Sequence, residues 1–168
     1  MYQIDLQKPC TVHFIGIGGI SMSGFAQLLH ENGFTVKGSD SQESKITKHL
    51  ASLGINIIYG QSAKNITDDI DLVVYTAAIH PDNPEFATAK EKGIPMMERA
   101  VMVGQVMKNY KNAIGIAGTH GKTTTTSMLS HIFLAAKKRS NDIGWWYLRC
   151  DSGKYPYRPF AKFHYRSL

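Results

Sequence analysis

The sequence predicts an α/β chain: a doubly wound parallel sheet with helices on both faces, followed by the start of a second α/β unit. Two observations carry that prediction. Short β-rich runs alternate with amphipathic helical stretches at the spacing of βαβ units over about the first 107 residues. In addition, two strand-to-helix turns are rich in glycine, Gly16-Ile17-Gly18-Gly19 and Gly118-Thr119-His120-Gly121.

The elements follow in order. Thr11 to Ile15 (TVHFI) is a β-rich run that leads straight into the first glycine cluster. The next stretch places Met22, Phe25, Ala26, Leu28 and Leu29 on one helical face, and Gly33 suits the position after a helix end. Phe34 to Gly38 is the second strand and ends at Ser39-Asp40. Ser41 to Ser52 reads as a helix with Ile46, Leu50 and Leu53 on one side. Ile55–Ile58 and Asp71–Tyr75 are the third and fourth strands. Pro84 to Lys92 is a helix with proline at its first position. Ile94-Pro95-Met96 is a short strand whose proline points to a sheet edge. Glu98 to Lys108 is helical, and residues 109–112 form a linker. Beyond it, Asn112–Ile116 is expected as a buried strand. Ser127–Lys137 is expected as a helix, with Met128, Leu129, Ile132, Phe133 and Ala136 on one face.

Composition limits the function classes. Apolar residues make up 43% of the 168, as in ordinary globular proteins. No apolar run approaches the ~20 residues that span a bilayer, and the N-terminus has no secretory pattern. Cys10 and Cys150 form neither a disulfide framework nor a metal-ligand spacing. The expectation is a cytoplasmic protein with no membrane partner. The net charge of +6 is unevenly spread: residues 1–137 carry 12 basic and 11 acidic side chains, residues 138–168 seven and two. The basicity therefore belongs to the tail and gives no reason to expect nucleic acid on the folded part.

Two places carry chemistry. Gly118 to Thr124 (GTHGKTT), between a strand-like and a helical run, is a variant phosphate loop. Glycines let backbone N–H groups face phosphate oxygens, Lys122 supplies a positive charge, and Thr123 offers magnesium a hydroxyl. The variation lies at Ile116, where the usual spacing has glycine. The other place is Gly16-x-Gly18-Gly19, where a parallel strand meets a helix and a pyrophosphate can bind. Asp40 ends the next strand, placed to bond a ribose hydroxyl. Ser21 occupies the third fingerprint position in place of glycine or alanine, so a plain tight turn stays open as the alternative. His80 and Arg99 read as a solvated loop residue and a surface or capping residue.

The stretches HFIGIGGISMSGFAQLL (His13–Leu29), GSD (Gly38–Asp40), NPE (Asn83–Glu85) and GIAGTHGKTTTTSML (Gly115–Leu129) closely resemble the bacterial Mur ligases. The first and last are most similar to the branch that joins L-alanine to UDP-N-acetylmuramate. The resemblance spans about residues 8–137. It implies a cytoplasmic enzyme of peptidoglycan synthesis with a Rossmann-like UDP-substrate domain, a central domain for ATP and magnesium, and a third domain. The implied reaction activates the muramate carboxylate as an acyl phosphate, which the alanine amine attacks. Gly16, Gly18 and Gly19 would hold the UDP diphosphate, with Ser39 and Asp40 near the nucleoside. Gly118, Thr119, His120, Gly121, Lys122, Thr123 and Thr124 would wrap the ATP phosphates. Lys122 would be the catalytic charge and Thr123 the magnesium ligand; His120 marks the family, with backbone shaping as its plain alternative.

The domains expected are residues 1–107 for the UDP substrate and 108–137 as the truncated start of the ATP domain. Residues 138–168 lie outside the resemblance and hold eight of the 17 aromatic side chains. A shift of reading frame near residue 137 is the expectation for them. A genuine basic-aromatic tail that binds a partner or single-stranded nucleic acid is the alternative. Such a chain is expected to be inactive alone. Two rival readings stay open: a UDP-sugar-binding module without catalysis, and a fragment of an NAD-binding oxidoreductase.

Overall fold

The run Thr11–Ile15 forms the central strand, β1, of a five-stranded parallel sheet in the computed structural model, which describes residues 3–110 and 113–136. The chain divides into two compact units, Met1–Lys111 and Asn112–Leu168. In the first, β1 is followed by α1 (Ile20–Glu31), β2 (Thr35–Asp40), α2 (Lys45–Ser52) and β3 (Asn56–Tyr59). A 3-10 turn at Ala63–Asn65 then leads to β4 (Leu72–Tyr75), α3 (Pro84–Glu91), β5 (Met96–Glu98) and α4 (Arg99–Met107).

The strand order is β3-β2-β1-β4-β5, and every pairing is parallel. Chain direction across the sheet therefore reverses between β1 and β4. In an open α/β sheet the crevice beyond the carboxyl ends of those two strands is where ligands bind. β1 lies between β2 and β4, and its Val12, Phe14 and Ile15 are fully buried, as a central parallel strand requires. Right-handed crossovers put α1 and α2 together on one face and α3 on the other. In agreement, α1 and α2 touch each other. On the α3 side Ile15 and Val73 pack with Ile66, Ile70 and Ala89, with Phe86, Ile94 and Met96 around them.

Local chemistry explains most boundaries. Gly33 follows α1 with φ +86°, a conformation that suits glycine. Pro95 precedes β5, which is an edge strand; its carbonyl accepts from Val73 N–H at 2.9 Å, and the missing proline donor leaves no gap in the ladder. The crossover from β3 to β4 is fastened by Lys92, whose ammonium donates to the Ile66 carbonyl at 2.8 Å and to Asp68 at 2.7 Å.

Three expectations are corrected. The helix expected from Ser41 begins at Lys45, because Ser44 and Thr47 close a capping box and Asp40 accepts from the Gln42 amide. Such short polar side chains stabilise a turn in competition with the helix. The helix expected from Ser127 begins earlier, at Lys122: α5 runs Lys122–Ala136. Finally, residues 113–118 have no regular structure, so the strand expected at 112–116 does not form among the described residues. A strand exists only through its neighbours' hydrogen bonds, and Ile114 is 53% exposed rather than buried in a sheet. Residues 137–168, with the basic-aromatic segment, lie outside the described residues.

Candidate functional site

The Gly16–Gly19 turn sits at the carboxyl end of β1, next to the point where the strand order reverses. Gly16 has φ +78°, and this sends the chain sharply off the strand. The N–H groups of Gly16 and Ile17 both donate to the Ser39 carbonyl at 2.9 Å. Gly18 N–H donates to Asp40 Oδ2 at 2.8 Å, and Gly19 N–H to the Gly16 carbonyl at 3.2 Å. A Cβ on Gly18 would fall 2.7 Å from Asp40 Oδ2 and 2.9 Å from Thr47 Cγ2, so any side chain there would push both away and break the Asp40 contact. The turn's own amides are thus committed inward.

The amides that lead α1 come next. Their N-cap, Gly19, has no side chain to cap them. Gly19 and Ile20 are exposed. A helix start of this kind, with its positive dipole end open to solvent, receives anions. Asp40, half-buried at the end of β2, keeps acceptor capacity beyond its bonds to Gly18, Ser41 and Gln42.

Ser39 is placed differently from the rest of the expected set. It is fully buried, and its hydroxyl donates to Glu85 Oε2 at 2.6 Å. His13 Nε2 lies 3.3 Å from the same oxygen, and Asn65 Nδ2 donates to Oε1 at 2.5 Å. His13 and Glu85 are both fully buried. Burial alone would raise the Glu85 pKa, but the hydrogen bonds from His13, Ser39 and Asn65 outweigh it and hold the carboxyl below its usual value. A carboxylate only accepts, so hydrogen-bond logic assigns the shared proton to His13 Nε2, while Nδ1 is buried without a partner. The sequence had pointed here only to Ser39, as a neighbour of the nucleoside, and to the NPE triplet. Asn83 caps α3 by accepting from the amides of Glu85 and Phe86, Pro84 fills the first position, and Glu85 is thereby aimed into the sheet.

His80 is exposed, beside a shallow depression of ≈ 340 Å³ lined by Gln61, Ala78, Ile79, His80, Asp82 and Asn83. Arg99 is half-buried at the first position of α4.

In the second unit, Gly121 (φ +76°) turns the chain into α5, and its carbonyl accepts from Thr125 at 2.9 Å. Lys122 bends back, donating to the Gly118 carbonyl and, at 3.1 Å, to that of Thr119. Gly118, Thr119, His120, Thr123 and Thr124 are exposed along this loop and first helical turn. Thr123 is the second residue of α5 and is exposed. Among the described residues no group of three His, Cys, Asp or Glu side chains could hold a metal unaided. Nor is any helix there long and apolar enough to cross a membrane.

A model of the Mur ligase family, catalytic domain, matches residues 11–111. The UDP-N-acetylmuramate–L-alanine ligase of Agathobacter rectalis is 68% identical over 137 residues, covering 82% of this chain and 30% of that protein. The ligase of the same name from Acetivibrio thermocellus is 56% identical over 131 residues, covering 78% of this chain and 28% of its own length. The chain thus spans about 30% of the length of these curated relatives. Among solved structures, the UDP-N-acetylmuramate–alanine ligase of Thermotoga maritima superposes with a TM-score of 0.71 at 40% identity, covering 76% of this chain and 30% of that one. The UDP-N-acetylmuramate:L-alanyl-γ-D-glutamyl-meso-diaminopimelate ligase of Neisseria meningitides gives 0.70 at 30% identity, covering 77% and 40%.

Proposed function

This chain belongs to the Mur ligase family, and from that premise we propose that it carries the UDP-gripping part of a cytoplasmic ligase joining L-alanine to UDP-N-acetylmuramate. The observation that carries the reading is the glycine turn clamped by Ser39 and Asp40 at the switch point of the parallel sheet. The curated relatives described above bear that activity in their names.

On this reading the UDP diphosphate lies against the start of α1. Gly16, Gly18 and Gly19 allow that approach, and Asp40 accepts a hydroxyl of the nucleoside. Ser39 acts from beneath, through its carbonyl. Residues 1–107 are the UDP-substrate domain, and 108–137 begin the ATP domain. There Gly118 to Thr124 wrap the ATP phosphates, Lys122 offsets the charge that builds up during phosphoryl transfer, and Thr123 supplies magnesium with a hydroxyl. ATP would activate the muramate carboxylate as an acyl phosphate, and the alanine amine would displace the phosphate. The 168-residue chain alone is expected to bind UDP-N-acetylmuramate without turning it over.

A thermal melt tests the reading. A ligand that binds only the folded state raises the midpoint according to how far its concentration exceeds Kd. UDP-N-acetylmuramate at 100 times its Kd should stabilise the chain by about 2.7 kcal/mol, while NADH leaves the midpoint unmoved. A shift with NADH alone would replace the ligase reading by a dehydrogenase one.

A further inference from the structure

We propose that Glu85 is a positioning residue for the UDP-binding turn, setting its shape through Ser39 without touching the ligand. Three donors converge on two carboxylate oxygens: the Ser39 hydroxyl, the Asn65 amide and His13 Nε2. Only an ionised carboxylate accepts from all three; an amide in its place would set one donor against another.

Each partner brings a different piece of the sheet's carboxyl edge. Ser39 is the register partner of Ile15, the last residue of β1, and its carbonyl receives the Gly16 and Ile17 amides. Asn65 also donates to the Gly60 carbonyl at 3.0 Å, and the Gly60 amide donates to the Asp40 carbonyl at 2.8 Å. Asn83, which caps the helix carrying Glu85, donates to Gln61 at 2.5 Å. The end of β2 and the loops after β1 and β3 are therefore tied within two hydrogen bonds to the Glu85 side chain, and the loop after β4 is tied to the Glu85 amide through Asn83. For a stability role alone, replacing the whole cluster of Glu85 and its donors by apolar residues of similar volume would often serve as well. A carboxylate here fixes where the β2 end sits, and with it the path of Gly16 and Ile17.

The consequence for ligand affinity rests on the function proposed above, so the experiment has two readouts. Amide exchange is followed in the ligand-free full chain, comparing wild type with Glu85→Gln and with the milder Ser39→Ala, which removes only the linking hydroxyl. Exchange at Gly16 and Ile17 should accelerate about tenfold or more. Val73, whose amide bonds to Pro95 in the same sheet, should change much less. Unchanged protection at Gly16 and Ile17, or an equal rise at all three amides, overturns the proposal. UDP-N-acetylmuramate titrations then ask what the positioning is for. Both variants should weaken binding about tenfold; an unchanged Kd overturns the link to affinity. If the wild-type chain binds no UDP-N-acetylmuramate, the functional reading fails, and the exchange data still decide whether Glu85 holds the turn.

Discussion

Glu85 ties its depressed pKa to a pH-dependent stability. Its ordinary value is 4.5, and the folded value is lower. The folded state therefore binds fewer protons than the unfolded state near that pH. The stabilisation is present above about pH 4.5 and is lost as pH falls through the folded pKa. Urea unfolding from pH 7 to pH 3 should show wild type losing stability more steeply below pH 4.5 than Glu85→Gln. At pH 7 that variant should be less stable by about 2–4 kcal/mol, since it leaves buried donors facing a donor. An identical pH slope in the two proteins would mean that Glu85 is not the titrating group. Gly38 is a second sensitive position. A Cβ there would lie 2.5 Å from Ile17 Cδ1 and 2.9 Å from the Phe14 carbonyl. Ile17 belongs to the turn, so Gly38→Ala should cost about 1–3 kcal/mol by overpacking and weaken UDP-N-acetylmuramate binding as well. Calorimetry on the one variant reads both effects.

Among the elements, the helices differ in what limits them. Gly104 lies on an exposed side of α4, and a Cβ there would meet nothing within 4 Å. Gly104→Ala should therefore raise stability by about 0.5–1 kcal/mol, because alanine loses less backbone freedom in a helix; a fall in the urea midpoint would contradict this. α5 is limited from outside. Its Met128 and Ile132 are 62% and 60% exposed, so the amphipathic pattern that announced the helix is not matched by burial of those residues. Periodicity reports which residues share a face and leaves open whether anything covers it. The same distinction explains 113–118: an apolar run announces a strand only if another strand lies alongside.

For the molecule as a whole, the division into two compact units has a consequence for ligand binding. Lys122→Ala lies in the second unit and should leave the thermal shift from UDP-N-acetylmuramate unchanged. Asp40→Ala, which frees the Gly18 amide, should reduce it. A loss of the shift in Lys122→Ala would show the two units to be energetically coupled. What the sequence determined by itself was the set of local structures. Runs such as TVHFI, proline and glycine at the right offsets, and two glycine-rich turns are enough to lay out alternating strands and helices, because each depends on residues a few positions apart. Its motifs also sufficed to point to the Mur ligase family. Tertiary structure alone decided the reversal of strand order between β1 and β4, the inward commitment of the turn's amides, and the meeting of His13, Ser39, Asn65 and Glu85. Those partners lie as far as 72 residues apart. No local preference selects such a contact; it arises only when the sheet stacks four separate segments and a buried carboxylate must be satisfied by whatever donors lie within reach.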